Sequence, residues 1–289
     1  MTTVSPVAVA FEHILVPTDF SEVSERALAY AKGVAKQGNS ELLLVHVNPP
    51  IDLITPPEAA WIDVSDLESL REEQLEQLGA ELRSKGYRAR SISFTGILHE
   101  ELLHTVLDSQ VDLIVLGTHG RKGLDRLLAG SDAEAVFRQV SCPVLSVGPA
   151  APALQGERWS LREVICATTL RPNSAGLVAY AHKLAAQHGA ELVLVHVKDA
   201  REQEADWASF EEAFHHLAPE YLGKGTWLRT RLASTAPDIT IVDLARQRGS
   251  DLIVMGAHPA SPMATHLPPG TAAKVLLDAP CPVLTLLQP

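Results

Sequence analysis

Cysteine is scarce in this chain, with three residues among 289: Cys142, Cys166 and Cys281. None lies near another in sequence, which excludes a disulfide-stapled scaffold and a close-spaced thiolate metal site, and the low count fits a reducing cytoplasm. Long apolar runs are missing as well. No segment approaches the length of a membrane span, and Met1 to Ala10 has neither a basic start nor a long apolar core, so a soluble, untargeted cytoplasmic protein without a membrane partner is expected. Positive charge is in short supply, with 24 Lys and Arg against 35 Asp and Glu for a net charge of −11. An acidic surface repels a polyanion, which argues against nucleic acid as a partner. No Gly-x4-Gly-Lys-Ser/Thr loop occurs, and its absence excludes a P-loop motor or kinase.

What is present is ordinary for a globular protein, with 46% hydrophobic and 20% charged residues. The length suffices for two domains, each with its own core. The charge is unevenly placed: residues 1–150 hold 12 basic and 21 acidic side chains, net −9, whereas residues 151–289 hold 12 and 14, net −2. Arg121, Lys122 and Arg126 therefore form the one strongly basic loop of an acidic half-chain.

Internal repetition decides the architecture. A shift of 150 lays Ile14–Val47 on Val164–Val197 without a gap, with Ala29-Tyr30-Ala31 on Ala179-Tyr180-Ala181 and His46 on His196. Further along the shift becomes 139, laying Asp112–Val115 on Asp251–Val254 and Cys142–Leu145 on Cys281–Leu284. One fold is written twice, and the small-residue, proline-bearing stretch Pro149-Ala150-Ala151-Pro152 divides domains at 1–150 and 151–289.

Within the first copy, apolar runs near 13–17, 41–47, 88–94, 111–117 and 143–147 read as strands. Helical faces are marked by Ala27, Ala31, Val34 and Ala35, by Leu67, Leu70, Leu78 and Leu82, and by Leu98, Leu102 and Val106. The second copy repeats the strands near 162–167, 190–196, 226–232, 250–256 and 282–287. Such alternation predicts an α/β protein of two tandem doubly wound, parallel five-stranded sheets with flavodoxin-like order 3-2-1-4-5. Ligands of such sheets bind where the winding reverses, at the carboxyl ends of strands one and four.

The stretch Leu116-Gly117-Thr118-His119-Gly120 leaves the fourth strand, and Gly130-Ser131 opens the next helix. Glycines at a strand tip let backbone N–H groups approach a ligand, and a helix start with Ser131 as cap or first-turn donor favours an anion. A phosphate chain fits there. The spacing Gly-x2-Gly-x9-Gly-Ser, between a strand and a helix, resembles the nucleotide-binding signature of the universal stress protein family. The likeness extends to Ile14-Leu15-Val16-Pro17-Thr18-Asp19-Phe20-Ser21, Leu42–Val47 and Ser141-Cys142-Pro143-Val144-Leu145, covering nearly all of residues 11–148.

That resemblance implies that Asp19 and the backbone at Val47 hold the adenosine part of ATP, with Pro17 and Thr18 lining the crevice. It places Leu116 and Gly117 by the ribose, and Gly120, Gly130 and Ser131 by the phosphates, with Arg121 in the adjoining basic loop. Asp132 departs from the family, which often has a small apolar residue there. Its carboxylate costs affinity for a triphosphate unless it points outward or meets a divalent cation such as Mg2+. In the second copy Asp19 becomes Thr169, and Gly117-Thr118-His119-Gly120 becomes Gly256-Ala257-His258-Pro259. Proline removes a donor and the access to positive φ, so that copy is expected to be a structural partner with nucleotide bound only in residues 1–150.

Features shared by both copies read as scaffold: His46 with His196, and the Cys-Pro pairs as buried entries to the last strands. No general base with an orienting partner accompanies the glycines, so the expected activity is binding, at most a slow ATPase. The functional reading is an ATP-binding regulatory or sensing module of the stress response. The alternative is an assembly module whose copies pair through their last strands, Val144–Val147 and Val283–Leu286, as an intramolecular pseudo-dimer or a homodimer. The segment Asn48–Trp61 reads either as a flap over adenine or as an ordinary surface connection.

Overall fold

The computed structural model describes residues 9–50, 65–118, 140–154, 158–198, 212, 227–233, 236–257 and 270–287. The first repeat runs β1 (His13–Pro17), α1 (Glu22–Gly38), β2 (Glu41–Asn48), α2 (Ser65–Ser84), β3 (Arg88–Thr95), α3 (Leu98–Asp108), β4 (Leu113–Gly117) and β5 (Val144–Val147). The second runs β6 (Glu163–Ala167), a 3-10 turn (Pro172–Ser174), α4 (Ala175–His188), β7 (Glu191–Lys198), β8 (Trp227–Ala233), α5 (Pro237–Arg248), β9 (Leu252–Ala257), α6 (Thr271–Asp278) and β10 (Val283–Leu287). Strand order is β3-β2-β1-β4-β5 in the first repeat and β8-β7-β6-β9-β10 in the second, which is 3-2-1-4-5 twice. The pairs β1–β2, β2–β3 and β1–β4 are parallel, as are β6–β7, β7–β8, β6–β9 and β9–β10. This is the doubly wound α/β fold that the alternation predicts.

Burial explains the strand composition. Ile14, Leu15, Val16, Leu42 to Val45 and Leu113 to Val115 have essentially no exposure, and neither do Val164 to Cys166 and Leu252 to Val254. Runs apolar on both faces require cover on both faces, which the helices supply. The edge strand β3, Arg-Ala-Arg-Ser-Ile-Ser-Phe-Thr, has no buried residue, and charge on an edge discourages pairing with foreign strands.

Helix ends follow local chemistry. Ser21 caps α1 by accepting from the Ser24 N–H at 3.3 Å, with Glu22 and Glu25 in the first turn and Lys36 in the last, as the helix dipole favours. α1 ends at Asn39 with φ 55° and its counterpart α4 at Gly189 with φ 65°; the chain after α3 turns at Gln110 with φ 51° and α5 ends at Gly249 with φ 65°. The stripe of α2 departs from expectation. Leu75 and Leu82 are buried, but Leu67 and Leu70 are 52% and 58% exposed, because in the first two turns the inward face falls one residue later, on the half-buried Glu68 and Arg71, and Glu68 accepts from the Thr95 hydroxyl of β3.

By packing, the chain divides into two compact units: Phe11–Val144 with Ala153–Trp159, and Met1–Ala10 with Leu145–Pro152 and Ser160–Pro289.

Candidate functional site

β1 is the pivot of the first repeat. It pairs with β2 on one side, Pro17 opposite Val45, and with β4 on the other, Leu15 opposite Ile114. The chain passes from β1 to β2 in one direction and returns from β3 to β4 in the other, so the carboxyl ends of β1 and β4 flank the reversal. Pro17-Thr18-Asp19 and Leu116-Gly117-Thr118 therefore emerge side by side, with Val47 at the end of β2.

The segment after β1 is held by its own side chains. The Thr18 N–H donates to the Val45 carbonyl at 2.8 Å, and the Thr18 Oγ1 accepts from the Phe20 N–H at 3.1 Å and contacts the Ser24 Oγ at 3.2 Å. Asp19 is half-buried, and its Oδ1 accepts from the Ser21 N–H at 3.0 Å. Phe20 closes the turn in the left-handed region, φ 59°, an uncommon place for a bulky side chain. Its ring packs against His46 at 5.0 Å between centroids, tilted by 43°, and Arg71 of α2 lies 5.3 Å over it. The His46 Nδ1 lies 2.7 Å from the Thr18 carbonyl oxygen, tying β2 to the turn.

The second repeat builds the same turn. The Thr168 N–H reaches the Val195 carbonyl at 2.9 Å, the Thr168 Oγ1 accepts from the Leu170 N–H at 3.1 Å, Leu170 has φ 59°, and the His196 Nδ1 lies 3.0 Å from the Thr168 carbonyl. What differs is the side chain at the next position. Thr169, in place of Asp19, turns its Oγ1 to the Ser174 Oγ at 3.1 Å. A 3-10 turn occupies Pro172–Ser174, so α4 starts three residues later than its alignment with α1 predicts.

Gly117 serves packing first. A Cβ there would stand 2.9 Å from the Val23 carbonyl carbon, carbonyl oxygen and Cγ1, so its lack of a side chain is what seats β4 against α1. Leu116 and Thr118 are buried, as are Pro17 and Thr18. Gly120, Arg121, Gly130, Ser131 and Asp132 lie outside the described residues, as does nearly all of the proline-bearing stretch after β2.

Sequence reasoning passed over a clasp at the opposite end of the sheet. Asp112 accepts from the Glu12 and His13 N–H groups at 2.6 and 3.2 Å, and Asp251 accepts from the Arg162 and Glu163 N–H groups at 2.7 and 3.1 Å. Both aspartates precede the fourth strand at the 139-residue shift, and that repetition was the available signal. The three thiols are buried, and burial pushes each up to about 12, which leaves them unreactive at neutral pH. Among the described residues no cluster of His, Cys, Asp and Glu suits a metal ion, and no helix is long and apolar enough to cross a membrane.

The fold defines a doubly wound α/β protein written twice, with the strand order reversing beside β1 in the first repeat and beside β6 in the second. The universal stress protein family model matches residues 10–148 and again 161–286, and the chain belongs to that family. A universal stress protein of Methanocaldococcus jannaschii is 33% identical over 141 residues, covering 47% of this chain and 82% of its own. A universal stress protein structure from Archaeoglobus fulgidus superposes with a TM-score of 0.72 at 22% identity, over 96% of both chains. A universal stress protein solved in complex with cAMP is 23% identical, with a TM-score of 0.39, over 45% of this chain and all of its own.

Proposed function

We propose that the first repeat binds an adenine nucleotide, ATP, in the crevice above β1 and β4, and that the chain is a nucleotide-responsive regulatory module of the stress response. The observation that carries this reading is Asp19, a half-buried carboxylate with one oxygen anchored by the Ser21 N–H at the point where the strand order reverses. An ionised carboxylate fixed in this way is a pre-oriented acceptor for hydroxyl or amine donors. The same turn in the second repeat carries Thr169, whose hydroxyl contacts Ser174.

In this reading Pro17, Thr18 and Val47 border the adenosine part, Leu116 and Gly117 the ribose, and Gly120, Gly130 and Ser131 offer backbone N–H groups to the phosphates. Arg121 adds positive charge, and Asp132 disfavours a bare triphosphate unless Mg2+ accompanies it. The second repeat is a structural partner. Calorimetric titration of the full chain with ATP and magnesium tests this. Gly120→Pro with Gly130→Asp removes a donor and sets a carboxylate at the phosphates, and is expected to weaken binding by about 3 kcal/mol, roughly a hundredfold. Unchanged affinity in that variant would overturn the assignment.

A further inference from the structure

Gly33 sits in the middle of α1, where glycine is a poor helix former. A Cβ at this position would come within 2.8 Å of the Leu154 Cδ2 and 3.0 and 3.1 Å of the Trp159 N and Cβ. Trp159 is 5% exposed. Its ring meets Tyr30 edge-on, with centroids 6.1 Å apart at 83°, and its carbonyl accepts from the Gln37 Nε2. Tyr30, Gly33 and Gln37 thus form a seat on one face of α1, and its occupants are Leu154 and Trp159, from the stretch that leads into the second repeat. Both residues belong to the compact unit of the first repeat.

The second repeat shows the reciprocal arrangement. A shift of 150 lays Val9 on Trp159 and Gln187 on Gln37, and the Val9 N–H donates to the Gln187 Oε1 at 2.9 Å. Val9 leads into the first repeat, yet it belongs to the compact unit of the second. Two independent contacts at equivalent positions therefore follow one rule.

We propose that the two lead-in segments are reciprocal straps, each preceding one repeat in sequence and seated on the long first helix of the other. The seat on α1 takes Trp159, which presents its backbone carbonyl to Gln37 and its ring to Tyr30. Because each repeat holds the strap of the other, unfolding of either one exposes a segment of its neighbour, and the whole chain melts as one cooperative unit. Strap release separates the two transitions.

Calorimetry and limited trypsin digestion of the full chain test this, since Arg158 lies beside Trp159 and is exposed. The wild-type chain is expected to melt in one transition and to resist cleavage at Arg158. Gly33→Leu, which fills the seat, is expected to speed that cleavage at least tenfold and to split melting into two transitions. Trp159→Ala leaves α1 untouched and is expected to do the same, so helix damage cannot account for the result. Two transitions in the wild-type chain would overturn the proposal. Equally fatal is unchanged cleavage in both variants, or accelerated cleavage with melting still in one transition.

Discussion

The ends of β1 and β6 are two versions of one turn, and their likeness is as informative as their difference. Threonine at 18 and 168, a left-handed residue at 20 and 170, and a histidine bound to the threonine carbonyl recur in both. These features belong to the fold, since they persist where the loop glycine corresponding to Gly120 has become Pro259. The side chain at 19 or 169 is different in kind. Asp19 anchors one oxygen to the start of α1, whereas Thr169 spends its hydroxyl on Ser174 beside a delayed helix start. The turn after the first strand therefore separates into a scaffold that both repeats keep and a carboxylate that only the first carries.

The sharpest way to break that comparison is to exchange the groups. Asp19→Ala is expected to weaken ATP binding by about 2 kcal/mol, near thirtyfold, the scale of a hydrogen bond to a charged acceptor. Thr169→Asp is expected to create no second site, because Pro259 still withholds a donor. Titration of both variants decides the matter: a second equivalent of ATP bound by Thr169→Asp would show that one carboxylate is the whole difference.

Gly117 sharpens the division between packing and binding. Gly117→Ala places a methyl against the Val23 backbone and is expected to cost about 2 kcal/mol of stability through overpacking, measured by urea unfolding without nucleotide. Full stability with lost ATP affinity would instead move Gly117 to the ligand side of the comparison.

The smallest effect tests the helix ends. Gln110 and Gly249 occupy equivalent left-handed positions, φ 51° and 65°. Gln110→Gly is expected to stabilise the chain by about 0.5 to 1 kcal/mol, and Gly249→Gln to destabilise it by a similar amount. Equal melting temperatures for both variants would mean that the turn relaxes around either residue.

Much of the fold was legible because its signals are local or repeated. Buried strands show as short apolar runs such as Leu42-Leu43-Leu44-Val45, and the second copy fixes their register to the residue. Asp19 was legible for the same reason, since comparison of the copies set it against Thr169. The face of α2 was misread at Leu67 and Leu70: the inward positions there are Glu68 and Arg71, whose polar ends reach Thr95 and Phe20, and apolar spacing does not register a face made by polar side chains. The clasps of Asp112 and Asp251 and the seat at Gly33 escaped notice because their partners lie far off in sequence, 99 and 100 residues for Asp112, 88 and 89 for Asp251, and beyond the end of the first repeat for Gly33.

By itself the sequence determined that one doubly wound unit is present twice, in what order its strands lie, and that only the first copy has a carboxylate after its first strand. Periodicity and repetition encode such features within a few residues. Only the tertiary structure decided that Gly117 yields space to Val23, that Thr169 turns to Ser174, and that Leu154 and Trp159 pack with the repeat they do not introduce. Those outcomes depend on which surfaces meet once the chain has closed on itself, and close packing fixes them at separations that no local pattern records.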